Sequence, residues 1–423
     1  MDLSRPASWA ELGSKARPNL HGMLRYPAMM VPRMQGDIID TIVAELGDAK
    51  CRVIDPFVGS GTVMTEALLR GIDFTGVDIN PLAVLACEAK ASIDAGTDIE
   101  RAGADALAML SKDFGETIDV KFPFVGKWFD EPVAVRLSRI RRAIMTLDDP
   151  LARKVMWTVF AETIRVSSNS RTSTYKLHLR PADDRVTPDR VVANFEAALR
   201  QTIDRVAAYR SMIAKRAAMA PDVRIMCGDV RKVAIGKAGD GHRILVTSPP
   251  YGDNRTTIPY GQSSYLALRW IPEEELKGPR ALLDNAFALD TASLGGSLRD
   301  VVANEERMAG VSPTLDSLVK QAPASGPGKG LRKVVNFMAD LFDAFVQVRA
   351  GTPGSAHWVV TTGNRTAHGI HVPLDDICRE MLEGLGGKAV ASLRRPVPGK
   401  RMPTKNNIGQ LINTETTLVV EFA

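Results

Sequence analysis

CRVIDPFVGSGTVMTEALLRGIDFTGVDIN, residues 51–80, decides the fold. Its two ends, CRVIDPF (51–57) and DFTGVDIN (73–80), are short, rich in Val, Ile and Thr, and bounded by Gly, Pro or Asp, which predicts two strands. Between them the apolar spacing of GSGTVMTEALLRG and its closing glycine predict a helix. A strand, a short turn, a helix and a strand make the crossover unit of a parallel sheet, so the expected fold is a doubly wound α/β sheet.

Five further segments read as strands: DVRIMCGD (222–229), RILVTSPPY (243–251), HWVVTTGN (357–364), KAVASLRR (388–395) and ETTLVVEFA (415–423). With the first two they predict a Rossmann-like sheet of seven strands. Two long intervals interrupt it. Residues 81–221 are mostly helical in pattern, as in RLSRIRRAIMTL (136–147) and ARKVMWTVFAETIR (152–165), and are too long for one crossover. They are expected to form a large helical insertion, a subdomain beside a main domain made of 1–80 and 222–423. The second interval, 252–352, contains QAPASGPGKG (321–330), expected to be a mobile loop. No internal repeat is visible.

At 423 residues and 45% apolar composition, the chain can bury a large core. No apolar run reaches the ~20 residues of a membrane helix, and the first twenty residues lack the apolar core of a signal peptide, so a cytoplasmic location is expected. Cys51, Cys87, Cys227 and Cys378 are scattered without a C-x-x-C pair and are expected to be buried, reduced thiols. His368 and His371 have no Cys or third His near them in sequence, so no metal site is expected. Net charge is +5 and the pI is about 9.0, compatible with a polyanionic partner. The cations cluster. RVSSNSRTSTYKLHLRP (165–181) carries four, Arg165, Arg171, Lys176 and Arg180, and no carboxylate; LRRPVPGKRMPTKNN (393–407) carries five, Lys400 and Arg401 among them. Cations alternating with hydroxyl, amide or aromatic groups suit phosphate contacts and base stacking, although either stretch could be a solvated loop.

In DPFVGSGT (55–62), Gly59 and Gly61 permit a tight turn and the close approach of a ligand. Asp78 follows the next strand at the spacing of an acid that binds ribose hydroxyls, and Asp229 closes the third strand. The turn lacks the third glycine of a pyrophosphate loop. A carboxylate at Asp55 would repel pyrophosphate while suiting a cationic sulfonium, which favours S-adenosyl-L-methionine over a dinucleotide. Asp78 would then hold the ribose and Asp229 the adenine amino group.

The strand of 243–251 runs into Ser248-Pro249-Pro250-Tyr251, where two prolines end the hydrogen-bond ladder at the edge on which such sheets bind ligands. If Ser248 Oγ and the Pro249 carbonyl accept the hydrogens of an exocyclic base amine, its nitrogen can turn a lone pair toward a methyl donor. Tyr251 would stack on the extruded base. Asp253 and Asn254 could orient the base or form an Asx turn. Trp128 and Phe129 read as packing groups.

DPFVGSGT, GVDINPLAVLACEAK (76–90) and TSPPYGDN (247–254) resemble motifs I, II and IV of the amino-methylating DNA methyltransferases, bacterial enzymes that methylate cytosine N4 or adenine N6. Arg25-Tyr26-Pro27 with Met30 is similar to the family's motif X region, and 260–271, 361–377 and 399–406 look like later blocks. The resemblance implies a site for S-adenosyl-L-methionine made by Tyr26, Pro27, Asp55, Phe57, Gly59, Gly61, Thr62, Asp78, Ile79 and Asp229, with Ser248, Pro249, Pro250 and Tyr251 catalytic. It also implies double-stranded DNA as substrate, bound by the two basic stretches, and a monomer or dimer with or without a cognate restriction endonuclease. On the same resemblance, 1–80 and 222–423 are the catalytic domain, and the 81–221 insertion is the candidate subdomain for target recognition. Ser-Pro-Pro-Tyr is more typical of cytosine-N4 enzymes, whereas adenine enzymes usually carry Asp or Asn first. The alternatives are an adenine-N6 enzyme, a guanine-N2 RNA methyltransferase, and a DNA-binding protein with an inactive methylase fold. No Pro-Cys dipeptide is present, which excludes the cysteine nucleophile of C5-cytosine enzymes.

Overall fold

The computed structural model describes residues 17–216, 220–236, 241–254, 257–297, 300–321, 329–367, 369–397 and 414–423. Nine strands are present among them: β1 (Cys51–Asp55), β2 (Asp73–Asp78), β3 (Val223–Cys227), β4 (His242–Thr247), β5 (Ala356–Gly363), β6 (Arg365–Ala367), β7 (Ile370–Val372), β8 (Lys388–Pro396) and β9 (Thr414–Phe422). Seven of them form one sheet in the order β3-β2-β1-β4-β5-β9-β8, and β6 and β7 make a separate hairpin. The seven are the segments expected from the sequence. β1 to β5 are mutually parallel, and β9 runs antiparallel to both its neighbours. The chain leaves β1 toward β2 on one side and later returns to place β4 on the other. That reversal opens a crevice at the carboxyl ends of β1 and β4.

The helices of the first part are α1 (Pro32–Leu46), α2 (Thr62–Leu69), α3 (Pro81–Asp94), α4 (Ile99–Ser111), α5 (Val125–Trp128), α6 (Glu131–Met145), α7 (Pro150–Ser167) and α8 (Asp189–Ile213). The later ones are α9 (Tyr260–Trp270), α10 (Ala288–Ala292), α11 (Val301–Met308), α12 (Pro313–Gln321), α13 (Lys329–Gly351) and α14 (Leu374–Gly384). The second long interval is therefore also largely helical. Of its expected mobile loop, residues 322–328 lie outside the described residues.

Side-chain alternation along the strands feeds two cores. Val53, Ile244, Val246, Val359 and Val419 face one core, which continues through α1 to α4 and α6 to α9; their neighbours Ile54, Leu245, Val360, Leu418 and Val420 face the other, with α13 and α14. The helices of 81–221 share the first core: α3 packs on α7, and α7 on α8. Phe129 is buried edge-on against Trp270, at 5.4 Å between ring centres, as its apolar reading predicts. Cys87 and Cys378 are buried, but Cys51 and Cys227 are only half-buried because they stand at strand ends. Among the described residues no helix is long and apolar enough to cross a membrane.

The turn from β1 into α2 requires its glycines. Gly59 and Gly61 have φ of +51° and +77°, in the left-handed region. At Gly61 a Cβ would lie 2.9 Å from Cys87 Sγ of α3, inside contact distance. Gly61→Ala is expected to lower stability by about 1–3 kcal/mol through backbone strain and this clash, measured by urea unfolding; an unchanged midpoint would show that the turn relaxes.

Candidate active site

A cleft of about 890 Å³, open to solvent, lies at the carboxyl ends of β1, β2, β3 and β4. Of the residues expected from the sequence, Tyr26, Pro27, Phe57, Gly59, Thr62 and Asp78 line it, as do Ile79, Asp229, Ser248 and Pro250. Phe57 and Pro250, 193 residues apart in sequence, thus meet in one cavity, because each follows a strand of the same parallel sheet.

The floor of the cleft is built by hydrogen bonds to the glycine turn. Asp78, at the end of β2, accepts from Gly59 N at 2.8 Å through Oδ2 and from Asn80 N at 2.8 Å through Oδ1. Burial raises its pKa to about 6, although these backbone donors oppose the rise. From below, Cys87 and Lys90 of α3 donate to the carbonyls of Gly59 and Ser60. Asn80, which sequence reading left unassigned, lines the cleft and joins three elements. Its side chain caps α3 at Leu82 N and donates to Tyr26 Oη at 3.0 Å and Ser264 Oγ at 2.7 Å. Asp229 accepts from its own neighbour Arg231, at 2.7 Å for the shortest contact, and Arg231 also pairs with Asp340 of α13.

Four expected residues do not line the cleft: Asp55, Gly61, Pro249 and Tyr251. Asp55 is fully buried beneath it, where Oδ1 accepts from Phe57 N at 3.1 Å and Thr247 Oγ at 2.6 Å. Its Oδ2 has no hydrogen-bond partner among the described residues. The expectation of a carboxylate facing a ligand is therefore corrected: this group ties the end of β1 to the end of β4. Gly61 is turned toward α3 instead. The ring of Tyr251 packs against the second core rather than standing free to stack. Its hydroxyl accepts from Ser248 Oγ at 3.2 Å and donates to Glu415 Oε1 at 3.3 Å.

The far wall of the cleft comes from residues with weak sequence signals. Tyr260, at the start of α9, stands 5.7 Å from Tyr26 between ring centres, and Leu289 of α10 and Leu294 just after it complete the wall. Asn254 lines the cleft and donates to Asp290 Oδ1 at 3.1 Å, which also accepts from Gly261 N at 2.8 Å. Tyr260 opens the 260–271 block, whereas Leu289 and Leu294 belong to no motif.

A second groove of about 690 Å³ adjoins the first, and Tyr26 lines both. Arg25, Arg165, Arg171, Lys176 and Tyr175 line this second groove. Arg171 and Lys176 are exposed, as expected of a basic surface. Arg165 and Arg180 differ from that expectation. Arg165 pairs with Glu162 of its own helix, and Arg180 donates to the carbonyls of Ser170 and Val166, bracing the turn. Lys400 and Arg401 lie outside the described residues, as does His368. Among the described residues no group of His, Cys, Asp and Glu could hold a metal ion.

The sheet order, its one reversed strand and the glycine turn at the reversal point define a Rossmann-like methyltransferase fold. The chain is 29% identical over 425 aligned residues to the Type II methyltransferase M.MvaI of Kocuria varians, an alignment that covers 97% of this chain and 91% of that one. The resemblance traced from short motifs thus extends along nearly the whole chain. Among solved structures, an rRNA methyltransferase, aviRa from Streptomyces viridochromogenes, matches with a TM-score of 0.29 and 13% identity over 94% of this chain and 89% of that one, too loose a superposition to bear on function. No family model matches the sequence.

Burial without full pairing raises the Asp55 pKa to about 7. A carboxyl raised in the folded state binds its proton more tightly there than in the unfolded chain. Its contribution to stability is thus full below pH ~4 and is lost as pH rises through about 7. Urea unfolding at pH 5 and pH 8 should show this decline, and Asp55→Asn should flatten it; parallel profiles in the two proteins would assign the decline elsewhere.

Proposed function

We propose that the protein is a site-specific DNA methyltransferase that moves a methyl group from S-adenosyl-L-methionine to the exocyclic N4 of a cytosine turned out of the duplex. The observation that carries this reading is that Ser248 and Pro250 open onto the same cleft as Gly59 and Asp78. Similarity to a Type II methyltransferase over 97% of the chain supports it, and supports a modification role beside a nuclease.

The residues present fit the cofactor. Gly59 lines the cleft beside Tyr26 with a φ of +51°, a backbone conformation that suits glycine, and it presents no Cβ to a ligand there. Asp78 would accept from the ribose hydroxyls and Asp229 from the adenine amino group, while Tyr26, Pro27 and Phe57 would supply apolar contact and Thr62 and Ile79 would complete the wall. When bound, S-adenosyl-L-methionine supplies an electrophilic methyl group. Ser248 Oγ would accept an amino hydrogen of the base, which helps draw the nitrogen lone pair out of conjugation. The prolines that follow hold this acceptor on a stiff backbone, so little ordering is needed when the base arrives. Extruding a base into a cleft is how enzymes that act on base atoms reach them. The second groove, with Arg171 and Lys176 exposed, would follow the phosphate backbone.

The reading is tested by incubating the protein with methyl-labelled S-adenosyl-L-methionine and unmethylated bacterial DNA, then separating the nucleosides by mass spectrometry. Label is expected in N4-methylcytosine; label in N6-methyladenine would keep the mechanism and change the base, and no label in DNA together with label in a parallel incubation with RNA would overturn the substrate. Ser248→Ala should reduce transfer by at least about a hundredfold at nearly unchanged cofactor affinity, and parallel loss of cofactor binding would refute the division of roles. Replacing Arg171 and Lys176 together by Gln should lower the slope of log affinity against log salt by about two; an unaltered slope would remove the groove from the interface.

A further inference from the structure

Ser248 stands at the mouth of a chain of hydrogen bonds that leads away from the cleft. Its hydroxyl donates to Tyr251 Oη at 3.2 Å, Tyr251 donates to Glu415 Oε1 at 3.3 Å, and Glu415 Oε2 is held by the guanidinium of Arg395. Glu415 lies on β9 opposite Gly363 of β5 and Arg395 of β8. The side chains of Glu415 and Arg395 are 20% and 11% exposed, so the pair is largely shielded from water. Neither residue lines the cleft.

The order of donors in this chain has a chemical effect. A lone serine hydroxyl beside a base amine can point its hydrogen at the nitrogen and consume the lone pair that must attack. Here Tyr251 accepts that hydrogen, which leaves the serine oxygen's lone pairs for the cleft. Tyr251 can accept only while its own hydrogen is committed elsewhere, and the anionic carboxylate of Glu415 is a strong acceptor for it. Burial, reinforced by the Glu415 charge, raises the tyrosine pKa well above the usual phenol value, so the phenol keeps the proton that it donates.

We infer that Glu415 is a positioning residue for methyl transfer: acting through Tyr251, it holds Ser248 Oγ as an acceptor toward the substrate amine and receives the proton that the amine releases. This role rests on the methyl-transfer reading proposed above. Once methylated, the nitrogen is cationic and carries a proton to shed. Its N–H bond breaks with the electron pair left on nitrogen, and the proton joins Ser248 Oγ. The serine's original proton passes to Tyr251 Oη, and the tyrosine's to Glu415 Oε1. The serine and tyrosine end neutral as they began, and the carboxylate ends as a carboxylic acid that returns its proton to water.

Four variants test this: Glu415→Gln, Glu415→Asp, Tyr251→Phe and the pair Tyr251→Phe with Glu415→Gln, each checked by thermal unfolding and by calorimetric cofactor affinity. In single-turnover transfer, Glu415→Gln is expected to be about ten- to a hundredfold slower than the parent at unchanged cofactor affinity, because an amide cannot take up the proton. Glu415→Asp should recover part of the rate, and the double variant should be no slower than Tyr251→Phe alone. Without any substrate, the carbon-13 carboxyl resonance of Glu415 should shift in Tyr251→Phe. A parental rate in Glu415→Gln, additive losses in the double variant, or an unmoved carboxyl resonance would each overturn the role. If Glu415→Gln fails to fold, Tyr251→Phe, which keeps the ring's packing, carries the same expectation for rate and affinity. A parent protein that binds cofactor but methylates no base would overturn the proposed function, and this role with it.

Discussion

The structure depends on one buried carboxyl group. β1 and β4 are paired in parallel through Ile54 and Leu245, and beyond that point the two chains part to form the walls of the cleft. Asp55 spans the parting, holding Thr247 Oγ on one side and Phe57 N on the other. Everything that lines the cleft from these strands lies within a few residues of this bond. Thr247 precedes Ser248, and Phe57 precedes the glycine turn, so the tie sets the acceptor at the end of β4 against the turn at the end of β1. Burying a carboxyl with one unpaired oxygen is unfavourable unless it is neutral. The raised pKa of about 7 is the measure of that cost.

The same economy of charge recurs in the basic turn. A stretch with four cations and no acid looks like a surface for a polyanion. Two of the four are engaged inside the chain: Arg165 by Glu162, just upstream on the same helix, and Arg180 by two backbone carbonyls. Arg180 thereby holds the shape of a turn with almost no regular secondary structure, and Arg171 and Lys176 project from it. A guanidinium suits this bracing because its fork of donors can reach carbonyls in different directions. The helices beneath share their core with the sheet, so the turn is set at a fixed height above the cleft.

The strands were legible in the sequence because each is a short β-branched run cut off by Gly, Pro or Asp. The lateral order of β9 and β8 was not, since pairing between strands distant in the chain leaves no local mark. In the site, the glycine turn, Asp78 and the Ser-Pro-Pro-Tyr segment announced themselves through backbone requirements that few residues satisfy. The direction of the Asp55 and Tyr251 side chains did not, because rotamers are chosen by neighbours such as Thr247 and Glu415, 192 and 164 residues away. Leu289 and Leu294 passed unnoticed for a different reason. An apolar side chain that walls a cavity has the same sequence signal as one that fills a core.

Tyr26 is a wall that the cleft and the basic groove share. Its hydroxyl accepts a hydrogen bond from Asn80, which also donates to Ser264 of α9. A ligand pressing on either face meets the same ring, and any shift that improves the fit on one side alters the other. Linkage then makes the influence mutual: whatever factor the occupant of the cleft imposes on affinity in the groove, the occupant of the groove imposes on affinity in the cleft. A shared wall can thus couple the two affinities without any contact between the two occupants.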